Sequence, residues 1–280
     1  MYGKVLAAIN EHLNSEIAAR YALRFAKSSG ARIYFCAIAE QGLSGKAFQT
    51  AEEALRRLSE QAHELGVSAD CVIETGEPVA RIRTIVAAEG IDLVFASTRR
   101  EDVQKRFYAR TTARQLSLSL PSSVALVRVV HPGRVHPKTI LVPLKARVDH
   151  IAERARFSAL MADAFGARIH LFHATRPLTR FFHGEVHLSP AEWEAKLPSD
   201  IARFIEQLNR RNVGHEKRLV PGIVGSNITI EAAVKRHDLI IMGASKRSLL
   251  ISFMRGNPVE HVLRETPCDL IILRPRHEDT

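Results

Sequence analysis

The chain has 280 residues, of which 46% are hydrophobic and 25% charged, and its formal net charge is +10. This length suits two domains that each bury a core, and the composition excludes an intrinsically disordered protein. No apolar run approaches the ~18 residues of a membrane span.

Hydrophobic periodicity predicts alternating strands and helices in the first half of the chain. The predicted strands are Lys4–Ile9, Arg32–Ala39, Val67–Glu74, Ile91–Ala96 and Val124–Val130. The predicted helices are Ser15–Lys27, Ala51–Leu65, Val79–Ala88 and Thr111–Leu118. Five strands separated by four helices indicate a parallel sheet with crossover helices on both faces.

The second half repeats this order after a Pro- and Gly-rich linker, His131–Pro137. Its predicted strands are Thr139–Leu144, Arg168–Ala174, Glu216–Val220, Leu239–Met242 and Leu270–Leu273. Phe25–Glu40 returns as Met161–Arg176, and Thr75–Ser97 returns as Pro221–Gly243. A repeat of this length predicts two domains of one fold, residues 1–130 and 138–280. The second is enlarged at residues 175–197, a surface that could serve as a partner site or lid.

Ligands of open parallel sheets bind beyond the carboxyl ends of the strands, where the strand order reverses. In the second half this position predicts a site around the ends of the first and fourth strands and the start of the last helix. The candidate ligand-binding residues are Pro143, Leu144, Lys145, Met242, Gly243, Lys246, Gly256, Asn257 and Pro258. Gly256-Asn257-Pro258 also has a structural interpretation, because Asn caps helices and Pro suits a first helical turn.

The motifs Asp238–Gly243 (DLIIMG) and Thr266–Leu273 (TPCDLIIL) make the chain resemble the universal stress protein family in its tandem form. The resemblance covers nearly the whole chain, twice. It implies two Rossmann-like domains of the adenine nucleotide alpha hydrolase type, each with strand order 3-2-1-4-5. It also implies that the halves pair about a pseudo-twofold axis, with the exposed final strands as natural pairing edges. A homodimer is left open.

Nucleotide-binding members of that family carry Gly-x-x-Gly, nine residues, then Gly-Ser/Thr after the fourth strand, and an Asp after the first. In the second half Gly243 and Gly256 match, whereas Lys246, Asn257 and Lys145 replace the second glycine, the hydroxyl residue and the Asp. A lysine cannot accept a hydrogen bond from a ribose hydroxyl, although it attracts phosphate.

The first half departs further from the family pattern. Ser97, Arg100 and Arg110 stand at its glycine positions, Thr111 keeps the hydroxyl, and Asn10 replaces the Asp. Because side chains at glycine positions fill the path of the phosphates, we expect no family-type nucleotide site there.

These patterns predict a stress-response protein that binds ATP, another adenine nucleotide or another phosphorylated small molecule, mainly through the second half and without catalysis. One alternative is a protein-interaction module with a vestigial site, and another is a weak ATP or adenylate hydrolase. No metal site is predicted, because the pairs His170/His173 and His183/His187 lack ligand-like placement. The spread of the basic residues favours a solvated surface over a nucleic-acid partner.

Localisation is predicted to be cytoplasmic. The start of the chain shows no charged-then-apolar leader. Cys36, Cys71 and Cys268 lie far apart in apolar strands, as reduced buried thiols would.

Overall fold

The computed structural model describes residues 2–39, 44–98, 111–133, 135–175, 197–221, 224–244 and 258–276. The first half contains β1 (Lys4–Ile9), α1 (Leu13–Ser29), β2 (Arg32–Ala39), α2 (Gly45–Glu64), β3 (Ala69–Thr75), α3 (Pro78–Glu89), β4 (Leu93–Thr98), α4 (Thr112–Ser119) and β5 (Ser123–Arg128). The second half contains β6 (Thr139–Pro143), α5 (Ile151–Phe165), β7 (Arg168–Thr175), α6 (Ser199–Asn209), β8 (His215–Pro221), α7 (Val224–Val234), β9 (Leu239–Gly243), α8 (Pro258–Glu265) and β10 (Asp269–Arg274).

All ten of these strands belong to one sheet, in the order β3-β2-β1-β4-β5-β10-β9-β6-β7-β8. Each half has the predicted order 3-2-1-4-5, and its strands pair in parallel. The final strands β5 and β10 pair antiparallel, with Leu270 opposite Arg128 and Arg274 opposite Val124. The α/β fold class and the pairing of the final strands are therefore confirmed.

Helices cover both faces of the sheet, because the strands are apolar on both sides. Helices α1, α2, α5 and α6 pack on one face, and α3, α4, α7 and α8 pack on the other. The shared Gly-Ala-Arg-Ile segment has the same role in both halves. Gly30 (φ 69°) and Gly166 (φ 59°) adopt the left-handed conformation that ends α1 and α5.

The two halves meet through buried side chains as well as through the sheet. The rings of Phe25 on α1 and Phe157 on α5 lie 5.1 Å apart between centroids. The Tyr21 hydroxyl donates a buried hydrogen bond of 2.8 Å to Asp269 on β10. The other carboxylate oxygen of Asp269 accepts a hydrogen bond from the Val130 backbone N–H. These contacts tie the halves together; the pseudo-twofold relation and a homodimer stay predictions.

The structure corrects one local expectation and confirms another. The expectation that all three cysteines are buried is wrong for Cys71, which is exposed because β3 is an edge strand. Asp92 and Asp238 precede apolar strands as expected, and each accepts hydrogen bonds from backbone amides at the start of its half. The enlarged segment 175–197 lies outside the described residues, except for Thr175 and Leu197.

Candidate functional site

A cavity lies at the carboxyl ends of β6 and β9, where the topology predicts the ligand site of the second half. Six of the predicted site residues line it: Pro143, Leu144, Lys145, Met242, Gly243 and Pro258. Pro258 is also the first residue of α8, as its structural interpretation predicts. Lys246, Gly256 and Asn257 lie outside the described residues.

Neighbouring strands hold the two chain segments that form this cavity. After β6, the Leu144 N–H donates to the carbonyl of Phe172 at 2.8 Å. The Leu144 carbonyl lies 2.8 Å from Nδ1 of the buried His173, so the tautomer with a proton on Nδ1 donates to it. After β9, the Ala244 N–H donates to the carbonyl of Leu273 at 2.9 Å. The backbone on both sides of the cavity is therefore fixed by hydrogen bonds.

The guanidinium of Arg154 occupies the space directly over Gly243. A Cβ atom added at Gly243 would overlap this guanidinium, so the glycine permits the close approach. Arg154 lies in the first turns of α5, and Ser158, one turn later on the same helix face, also lines the cavity. The retained family glycine thus has a local reason in this chain, which is contact with Arg154.

Within the described part of the chain, the Nε atom of Arg154 is buried and has no hydrogen-bond partner. Burial lowers the pKa of Arg154, while the negative charges of Asp149 and Glu153 oppose that shift. The guanidinium nevertheless stays protonated, because the pKa of arginine lies far above neutral pH. A buried cationic donor without a partner is costly, and an anion in the cavity would supply the missing acceptor.

Charged side chains at the rim make the cavity basic. Lys145, Arg147 and Asp149 are exposed lining residues in the segment between β6 and α5. Together with Arg154, the described lining holds three basic side chains and one acidic side chain. The electrostatic potential therefore favours an anionic ligand.

The described residues enclose about 70 Å³. Pockets for whole small-molecule ligands usually span roughly 300–1,000 Å³. The enclosed part therefore suits one small group of a ligand, such as a single anionic head.

Sequence reasoning missed Arg154, although the repeat contains a signal for it. The offset that pairs Phe25 with Met161 and Gly30 with Gly166 pairs Arg154 with Ala18, a small buried residue. The second half thus carries a cationic side chain where the first half carries a small buried one. This difference lies on a helix that starts beside the predicted site.

In the first half, Asn10 and Thr111, which stand at the family's Asp and hydroxyl positions, form local hydrogen bonds. The side-chain oxygen of Asn10 accepts a hydrogen bond of 3.0 Å from the His12 backbone N–H. The Thr111 hydroxyl caps α4 and accepts a hydrogen bond of 3.3 Å from the Arg114 backbone N–H. Each of these oxygens thus already holds a backbone donor. Arg100 and Arg110 lie outside the described residues.

No group of three or more His, Cys, Asp or Glu side chains forms a metal-binding cluster within the described ranges. His173 contacts the Leu144 carbonyl, whereas the ring of His170 lies 4.7 Å from that of His237. His183 and His187 lie in the segment that the structure does not describe. No helix in the described ranges is long and apolar enough to cross a membrane.

The model of the universal stress protein family matches this chain twice, over residues 1–128 and 137–274. The fold is similar to that of a universal stress protein from Archaeoglobus fulgidus, with 16% identity, 100% of this chain and 98% of that chain covered, and a TM-score of 0.67. A putative universal stress protein from Pseudomonas aeruginosa has 16% identity, coverage of 98% and 93%, and a TM-score of 0.63.

A further universal stress protein from Archaeoglobus fulgidus, in complex with dAMP, has 17% identity and covers 49% of this chain and 97% of its own, with a TM-score of 0.35. No curated protein matches the sequence significantly. Because the family model covers both halves of the chain, the protein belongs to the universal stress protein family.

Proposed function

We propose that the second half binds an adenine nucleotide or another phosphorylated small molecule, without catalysis, at the carboxyl ends of β6 and β9. The observation that carries this proposal is the basic cavity there, in which the guanidinium of Arg154 lies over Gly243 and its buried Nε atom has no hydrogen-bond partner among the described residues. Basic donors in a concave site recognise phosphate through charge-assisted hydrogen bonds.

The site belongs to the second half in this proposal, because the corresponding groups of the first half are engaged. The Asn10 and Thr111 side chains hold backbone amides there, and no arginine corresponds to Arg154. The first half then serves as a structural partner, and the protein acts as a cytoplasmic ligand-binding protein of the stress response.

The small number of carboxylates in the described lining favours binding over hydrolysis. Its one carboxylate, Asp149, is exposed at the rim beside Lys145 and Arg147. Hydrolysis needs a general base that lies within hydrogen-bond distance of the water that attacks the phosphate. Sensitive nucleotide-hydrolysis assays on the intact protein test this point, and turnover that disappears in Gly243→Ala would contradict it.

Binding is tested by calorimetric titration of the full chain with ATP, ADP, AMP, dAMP and cyclic nucleotides. We expect saturable binding of at least one of them at a ratio of one per chain. Gly243→Ala should weaken it, because the new methyl group displaces the Arg154 guanidinium. Gly214→Ala is the matched control, since a Cβ atom there meets nothing within 4 Å.

Absence of binding by the intact protein would contradict the proposal and favour the alternative of a protein-interaction module. Equal loss of binding in Gly243→Ala and Gly214→Ala would contradict the assignment of the site.

A further inference from the structure

Arg154 differs from the other arginines of α5 and its neighbour α6 in its surroundings. Arg210, directly after α6, forms an exposed ion pair with Glu206 at 2.6 Å. On α6, the Arg203 guanidinium lies 3.7 Å from the Asp200 carboxylate. The guanidinium of Arg156 faces the ring of Tyr2, with 6.0 Å between Cζ and the ring centroid. The Nε atoms of Arg154 and Arg156 are both buried without a hydrogen-bond partner among the described residues, but of the two only Arg154 lines the cavity.

We propose that Arg154 selects the ligand of this site, because its guanidinium receives a phosphate monoester group over Gly243. This inference rests on the proposed function and names the chemical group that the second half recognises. Recognition then depends on the phosphate more than on the nucleoside, since Lys145 stands where the family carries the acceptor for a ribose hydroxyl.

Charge matching supports a phosphate monoester as the ligand group. The described lining carries three basic side chains and one carboxylate, a formal charge of +2. A phosphate monoester carries about −1.5 to −2 near pH 7, and its oxygens accept the paired donors of a guanidinium. The enclosed space of about 70 Å³ suits one such group, with the rest of the ligand directed outward.

The position of the guanidinium also explains why a glycine is needed beneath it. Any side chain at residue 243 would overlap the guanidinium. Arg154 and Lys145 both line the cavity, so a phosphate bound there has two cationic side chains in its surroundings. The alternative role for Arg154 is that of a plug, in which the guanidinium fills the phosphate position and excludes ligands.

The experiment compares AMP, ribose 5-phosphate and adenosine as ligands of the full chain, by calorimetry at constant ionic strength in a phosphate-free buffer. The variants are Arg154→Met, which removes the charge at similar length, and Arg154→Lys, which keeps it without the planar fork. Arg210→Met is the matched control at an exposed arginine. Circular dichroism and thermal unfolding establish that each variant is folded.

We expect the wild-type protein to bind AMP and ribose 5-phosphate at least tenfold more tightly than adenosine. Arg154→Met should weaken both phosphate monoesters roughly 10- to 100-fold and leave adenosine unchanged, as loss of a charge-assisted hydrogen bond predicts. Arg154→Lys should retain part of the affinity, and Arg210→Met should bind as the wild type does.

Three results would overturn the inference while the proposed function stands: unchanged AMP affinity in Arg154→Met, tighter AMP binding in Arg154→Met as expected for a plug, or wild-type binding of adenosine as tight as that of AMP. If the wild-type protein binds none of these ligands and no other nucleotide, the proposed function and this inference both fail.

Discussion

We expect acid to destabilise the protein through His237, which lies just before β9 and is 5% exposed. Neither of its ring nitrogens has a hydrogen-bond partner among the described residues. The pKa of His237 is lowered to about 4, mainly by burial. The charges of His170, Lys235 and Arg218 contribute in the same direction, and Asp238 opposes them. The folded state therefore holds this imidazole neutral in a range where an unfolded chain would protonate it.

The sign and size of the effect follow from the difference between the folded and the unfolded pKa of His237. The unfolded imidazole has a pKa near 6.5, so unfolding takes up a proton between about pH 6.5 and about pH 4. The free energy of unfolding falls as the pH decreases through this window. At pH 5 the loss from this residue is about 2 kcal/mol, and at acid pH below the folded pKa it approaches about 3 kcal/mol.

Urea unfolding at pH 7.5 and pH 5.0 measures this loss in the wild-type protein and in His237→Leu, which is neutral at both values. The variant should lose about 2 kcal/mol less than the wild-type protein between the two conditions. His63→Gln is the control, because His63 is exposed on α2. The reasoning is refuted if wild type and His237→Leu show the same dependence on pH.

Three further changes test the contacts that hold the fold together. Tyr21→Phe removes the buried hydrogen bond to Asp269 between the halves, and we expect urea unfolding to show a loss of about 1–3 kcal/mol; no loss would contradict a stabilising role. Phe157→Ala opens a cavity beside Phe25 and should cost about 3–5 kcal/mol in the same assay, whereas a cost below 1 kcal/mol would argue against the packed aromatic contact. Thr111→Ala removes the cap of α4 and should lower stability by about 1 kcal/mol, with Thr50→Ala on α2, where the hydroxyl bonds within its own helix, as the control.

The fold was largely predictable because its signals are local and occur twice. Apolar runs mark the strands, and the left-handed glycines Gly30 and Gly166 mark the ends of α1 and α5, with little help from distant residues. The strand order 3-2-1-4-5 came from the family resemblance. The first and last residues of the helices and strands were predicted less accurately. For example, β3 begins at Ala69 and not at Val67, because the strand begins where pairing with β2 starts.

The candidate site was predictable only in part. The topology placed Pro143, Lys145 and Gly243 beside one cavity, since they lie at or just after the carboxyl ends of the neighbouring strands β6 and β9. Arg154 is about ninety residues from Gly243 in the chain, and its approach to that glycine depends on how α5 lies over the sheet. Such a contact is a tertiary property, which no motif spacing encodes. The comparison of Arg154 with Ala18 across the repeat is the sequence signal closest to it.

Because β5 and β10 pair antiparallel, the parallel strands of the two halves run in opposite directions. Their carboxyl ends therefore lie at opposite ends of the ten-stranded sheet, measured along the strand direction. A molecule held beside β6 and β9 therefore cannot touch the corresponding position beside β1 and β4. In an assembly of two identical chains, every substitution would alter both positions at once. Fusion into one polypeptide removes that coupling. Substitutions can then alter the ligand-binding residues of one half, while the other half retains only the residues that its packing requires.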